Sequence, residues 1–142
     1  MTDIERAKAI LLSEGCTCVF CKGDTSIKSH DRGVKPLLLQ LDSGTPLCGA
    51  SAADKVVGKG AAFLYVLLGV SSVHACVIST PAMEVLTSHG ISVTLDKEVA
   101  AIRNRTDTGF CPIESAVLGI NDPQAALEVI RKRVATLNAK NK

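Results

Sequence analysis

Cys111 directly precedes Pro112, and Glu114 follows three residues later. A thiol at a helix start is biased toward thiolate by the aligned peptide dipoles, and a thiolate is a nucleophile. Glu114 is placed to be its acid–base partner. On the simpler reading, which we prefer, Cys111 is the N-cap and Glu114 the reciprocal capping side chain. A carboxylate this close also offsets the dipole's effect on the thiol. No imidazole neighbours the pair in sequence, so His30, His74 or His89 would have to be brought there by the fold.

A second group lies in Ser51-Ala52-Ala53-Asp54-Lys55. Asp54 has the chemistry of a general acid or base, or of an acceptor for a ligand hydroxyl or amine. The structural alternative makes Ser51 an N-cap and Asp54 a capping carboxylate. On a helix, Lys55 and Lys59 share one face, an arrangement that suits a phosphate and equally suits water. Gly58-Lys59-Gly60 is not a phosphate loop, because the required spacing and the hydroxyl after the lysine are missing. Arg103, Asn104, Arg105, Thr106 and Thr108 supply donors for a phosphate or carboxylate, with a solvated loop as the alternative. Helix starts expected at Ser51, Pro81 and Pro112 add backbone amides for the same anion. Together these residues point to a nucleotide-like ligand.

The cluster Cys16, Cys18 and Cys21 invites a metal reading. On a strand, however, Cys16 and Cys18 point to one face and Cys21 to the other, so the thiols diverge, and buried cysteines also fill strands well. No metal is expected there, and no cofactor.

These residues sit on a chain of 142 residues, a length suited to one domain over 1–142. Apolar residues make up 46% and charged residues 21%, which excludes disorder and fibrous repeats. A net charge of +2 with aromatics at 3% and no Trp argues against a nucleic-acid partner. Thr2-Asp3-Ile4-Glu5 reads as a capping box and not as the start of an export signal, so a cytoplasmic setting with free thiols is expected. The longest apolar stretch, 61–70, is half of what a bilayer requires, so no membrane is expected.

Apolar spacing at Ile4, Ala7, Ile10 and Leu11 predicts a helix over 3–14, stopped by Gly15. A hairpin follows, with strands over 16–21 and 25–30 around Lys22-Gly23-Asp24. A short helix is expected from Pro36 to Leu41, then a central helix from Ser51 to Leu68. Gly58 and Gly60 each cost that helix about 1 kcal/mol relative to Ala, which a close neighbour or a ligand would explain. Strand 73–79, a helix from Pro81 to Ser88 and strand 91–95 form a crossover unit that favours parallel pairing. Residues 96–109 read as a functional loop or a frayed helix, and helices follow from Pro112 and over 125–137.

The order helix, two strands, helix, strand, helix, strand resembles the cytidine-deaminase-like fold, a three-layer α/β architecture with a mixed central sheet and helices on both faces. In that family the central helix opens with His-Ala-Glu or Cys-Ala-Glu and the next with Pro-Cys-x-x-Cys. The matching positions here read Ala52-Ala53-Asp54 and Pro81-Ala82-Met83-Glu84-Val85, which carry no zinc ligand. The chain is also similar to an uncharacterised bacterial family of this fold, through Asp31-Arg32-Gly33-Val34-Lys35-Pro36, Ser51-Ala52-Ala53-Asp54-Lys55 and Thr108-Gly109-Phe110-Cys111-Pro112-Ile113-Glu114.

The resemblance implies a zinc-independent pocket for a nucleoside, nucleotide or similar phosphorylated small molecule in a homo-oligomer. The catalytic candidates are Asp54, Lys55, Cys111 and Glu114. The ligand-binding candidates are Ser51, Lys59, Arg103, Asn104, Arg105, Thr106 and Thr108. Two alternatives stand beside it: a non-zinc transferase or hydrolase using Asp54 or Cys111, and a non-catalytic structural or regulatory oligomer.

Overall fold

A computed structural model describes residues 2–31, 34–44, 47–102 and 112–140, with residues 138–140 described by backbone only. Helix α1 (Asp3–Glu14) is capped by the Thr2 hydroxyl, which accepts from the Glu5 amide, and ends at Gly15 in a left-handed conformation. Strands β1 (Cys18–Lys22) and β2 (Thr25–Ser29) form the expected hairpin, followed by α2 (Lys35–Ser43). Then come β3 (Ser51–Val57), α3 (Lys59–Leu68), β4 (Ser72–Ser79), α4 (Thr80–Ser88) and β5 (Ser92–Val99). Helices α5 (Pro112–Ala116) and α6 (Pro123–Lys140) close the described chain.

The five strands form one mixed sheet in the order β2-β1-β3-β4-β5. The hairpin pairs antiparallel with β3 through Cys18↔Asp54 and Phe20↔Ala52. β3, β4 and β5 run parallel, with α3 and α4 as their crossovers. Helices cover both faces. On one, Ala7 and Leu11 of α1 pack on Val19, Cys21 and Ala53, and on the other α2, α3, α4, α5 and α6 contribute to the main core. α3 is apolar nearly all round and buried from Gly60 to Tyr65, as expected of a helix enclosed by sheet and helices together.

The expected central helix from Ser51 to Leu68 is corrected: its first seven residues are β3, and the helix begins only at Lys59. Ser51 is therefore no N-cap, and its hydroxyl bonds that of Ser72 at 2.7 Å across β3 and β4. Asp54 does not stand in a first helical turn, and Lys55 and Lys59 do not share a helix face. The physical reason is tertiary. β3 is the middle strand, covered by α1 on one side and by the main core on the other, so it needs small buried side chains and loses the polar–apolar alternation that marks a strand. An alanine pair there has the local signature of a helix.

β5 also runs four residues past its expected end, to Val99, so part of the polar segment after Leu95 is an edge strand. Cys16 precedes β1 and packs on the α1 side with Cys21, while Cys18 faces the main core, so the thiols diverge, with Cys16 and not Cys18 sharing a face with Cys21. Among the described residues no helix is long and apolar enough to cross a membrane.

Candidate functional site

The carboxyl ends of β3 and β4 feed directly into α3 and α4, so two helix N-termini stand side by side. Free amides and the positive end of the helix dipole make such a place attractive to anions. The anion found there is Glu114 of α5. Its Oε2 accepts from the Gly60 amide at 3.2 Å, and its Oε1 accepts from the Ser79 hydroxyl at 3.3 Å. The same Ser79 hydroxyl caps α4 by accepting from the Ala82 amide. Burial pushes the Glu114 carboxyl above its ordinary range, while the Gly60 and Lys59 amides, Ser79 and the Lys59 charge pull it back down.

Both glycines of Gly58-Lys59-Gly60 are explained by this approach. A Cβ at Gly58 would stand 2.6 Å from Glu114 Cδ, and one at Gly60 would stand 2.6 Å from Ile113 Cγ2. The close neighbour invoked for these residues is thus α5 itself. Glu114 is not restricted to a local capping role: it ties α5 to the starts of α3 and α4, through partners 54 and 35 residues away in sequence. Lys59 donates to the Leu118 carbonyl at 3.0 Å and lies 5.7 Å from the centre of the Phe63 ring. From the two helix starts, at Lys59 and Pro81, a groove of about 320 Å³ runs between α3 and α4 past Phe63, Glu84 and His89.

Asp54 belongs to a different cluster. Its Oδ2 accepts from the Tyr65 hydroxyl at 2.6 Å, its Oδ1 accepts from the Val56 amide at 3.3 Å, and Cys18 Sγ lies 3.3 Å from the same Tyr65 oxygen. Since the tyrosine donates to Asp54, the thiol donates to the tyrosine. Burial raises Asp54 to about 7 against the opposing hydrogen bonds, and burial likewise raises Cys18 and Tyr65. None of the three lines the groove. Lys55, on the same strand, is exposed.

The structure thus brings Glu114 and Lys59 to one place, and sets Ser51, Asp54 and Lys55 apart on β3. Cys111, Arg103, Asn104, Arg105, Thr106 and Thr108 lie outside the described residues. Ser79 was missed by sequence reasoning, although a serine two residues before a helix-opening proline is a capping signal.

On the α1 side of the sheet, His74, Cys76 and Asp96 bring one donor atom each to within 4.8 Å of one another. His74 is buried: its Nδ1 lies 2.7 Å from Thr94 Oγ1, and its Nε2 has no hydrogen-bond partner. Burial and the charge of Lys8 lower the His74 pKa, against an opposing pull from Asp96.

Comparison with curated proteins gives no match. Among solved structures, the chain is similar to the crystal structure of a DUF1893 family protein, TM1506, from Thermotoga maritima. The identity is 29%, the coverage 96% of this chain and 91% of that one, and the TM-score 0.82. The model of that same family, described as a domain of unknown function, matches residues 6–134, and the chain therefore belongs to the DUF1893 family.

Proposed function

We propose that this protein binds a nucleoside- or nucleotide-like small molecule at the carboxyl edge of β3 and β4, on a cytidine-deaminase-like scaffold that has no zinc ligands at that edge. The observation that carries this reading is the convergence of two helix N-termini from adjacent parallel strands on the single carboxyl of Glu114. Ligands of open α/β sheets gather at strand carboxyl ends, where helix amides face outward. Glu114, buried and outside the groove lining, holds the two helix starts in place, and Lys59, at the groove mouth, meets a phosphate or carboxylate. The groove volume falls at the lower end of the range for small-molecule sites. The strand order β2-β1-β3-β4-β5 with an antiparallel hairpin supports the scaffold assignment. The helix starts Gly58-Lys59-Gly60 and Thr80-Pro81-Ala82 offer neither thiol nor imidazole, which supports binding without a metal at that edge.

Isothermal titration of the full chain with cytidine, uridine, their 5′-monophosphates and inorganic phosphate tests the reading. A nucleoside monophosphate should bind more tightly than either the nucleoside or phosphate alone. Lys59→Ala should erase the phosphate increment, and Glu114→Gln should weaken nucleoside and nucleotide alike. Absence of binding across the panel at millimolar ligand refutes it.

A further inference from the structure

We propose that His74, Cys76 and Asp96 form a binding site for a divalent transition-metal ion of the zinc class, held through Nε2, Sγ and one carboxylate oxygen, with a fourth position open to solvent. The site is on the α1 side of the sheet, opposite the groove, and does not depend on the ligand reading above.

Local structure sets the three donors. His74 and Cys76 are two residues apart on β4 and so project to one face. In the parallel register His74 pairs with Thr94, and Cys76 lies level with Asp96, between the Ala75–Leu95 and Val77–Lys97 pairs. His74 Nε2 and Asp96 Oδ2 are 3.7 Å apart. Metal–nitrogen and metal–oxygen distances near 2.0 Å give a tetrahedral edge of about 3.3 Å, which a small rotation of Asp96 supplies. That side chain is free to turn, being 54% exposed.

The histidine points to a ligand by a separate route. Its side chain is 2% exposed, and Nε2 is the one buried side-chain nitrogen or oxygen without a hydrogen-bond partner among the described residues. Burying such a group without a partner is unfavourable unless something occupies its lone pair. A metal on Nε2 requires the tautomer with the proton on Nδ1, and the Thr94 hydroxyl at 2.7 Å is placed to accept a hydrogen bond from that proton, which leaves the Nε2 lone pair facing Cys76 and Asp96. This is the outer-shell arrangement that orients a metal-binding imidazole.

The donor types select the ion. One imidazole, one thiolate and one carboxylate suit zinc and its neighbours, and do not suit calcium or magnesium, which take oxygen ligands. The Cys76 thiol releases its proton to solvent as the Sγ–metal bond forms, and the two anionic ligands then balance the 2+ charge. Lys8 and Lys55 act electrostatically on His74 and Cys76. Their charge favours an anion, such as hydroxide or a carboxylate, at the open position.

The test is titration of the chelator-stripped full chain with Co2+, followed by displacement with Zn2+. One Co2+ per chain should bind with a sulfur-to-cobalt charge-transfer band. Cys76→Ser should abolish the band, and Asp96→Ala, at an exposed position that leaves folding intact, should weaken binding at least about 10-fold. Thr94→Val should weaken it by about 10–100-fold, as outer-shell partners do. A chain that takes up no Co2+ overturns the proposal. So does a band that survives Cys76→Ser, which puts the metal on another thiol.

Discussion

Gly58→Ala isolates the contact on which the candidate site is built. The new methyl group would meet Glu114 Cδ at 2.6 Å and both carboxylate oxygens at 2.8 Å, all below any real contact distance. The carboxyl, at the far end of a flexible side chain, must move away, which stretches or breaks its bonds to the Gly60 amide and the Ser79 hydroxyl. Hydrogen bonds to a charged group contribute about 1.5–3 kcal/mol each, and rehydration of the released carboxylate offsets part of the loss. We expect a net cost of about 3 kcal/mol, a fall in Tm of roughly 6–12 °C for a domain near this size.

The decisive assay is a double-mutant cycle by urea unfolding, followed by far-ultraviolet circular dichroism, on wild type, Gly58→Ala, Glu114→Ala and the pair. Any loss of N-cap quality on replacing glycine by alanine is common to both backgrounds and cancels. With Glu114 truncated the methyl group has room, so the coupling should be about 2 kcal/mol or more, within the range for residues in contact. Equal costs of Gly58→Ala in the two backgrounds would falsify the account of these glycines.

Two further outcomes follow from the buried groups. Asp54 is protonated up to a higher pH in the folded protein, about 7, than in the unfolded chain, so its contribution to stability is complete below about pH 4 and is lost as pH rises to about 7 and beyond. The loss is on the order of 4 kcal/mol, and the pH dependence of unfolding should be flatter by that amount in Asp54→Asn across this window. Matching slopes in the two proteins would mean that Asp54 titrates normally. Alkylation of the native protein followed by peptide mass mapping should modify exposed Cys48 fast, half-buried Cys76 slowly, and buried Cys16, Cys18 and Cys21 only at the rate of unfolding. Rapid labelling of Cys18 would contradict its place beneath Tyr65.

Much of the framework was legible one segment at a time. Thr2, the apolar spacing of α1 and Gly15 specify a helix with both ends marked, and the structure returns the same bounds. Lys22-Gly23-Asp24 between β-forming runs specifies the hairpin, and Pro81 specifies the start of α4 within one residue. These signals are local: a cap, a turn and a fixed φ act within a few residues and need no partner from afar.

Ser51-Ala52-Ala53-Asp54 shows where local signals stop. Its residues favour a helix, yet pairing with β1 and β4 and cover from both sides make it the central strand. Asp54 thereby becomes the partner of Tyr65, not a helix cap. Glu114 was visible as a chemically capable residue next to a helix start, but its contacts with Gly60 and Ser79 span 54 and 35 residues. His74 and Cys76 carried the two-residue spacing of a shared strand face, whereas Asp96 joined them only through the β4–β5 register.

The sequence by itself determined the composition class, the cap and turn positions, and the list of side chains able to do chemistry. Only the tertiary structure decided which of them meet. Strand pairing and helix packing are set by burial summed over many distant residues, and no short window of sequence contains that sum.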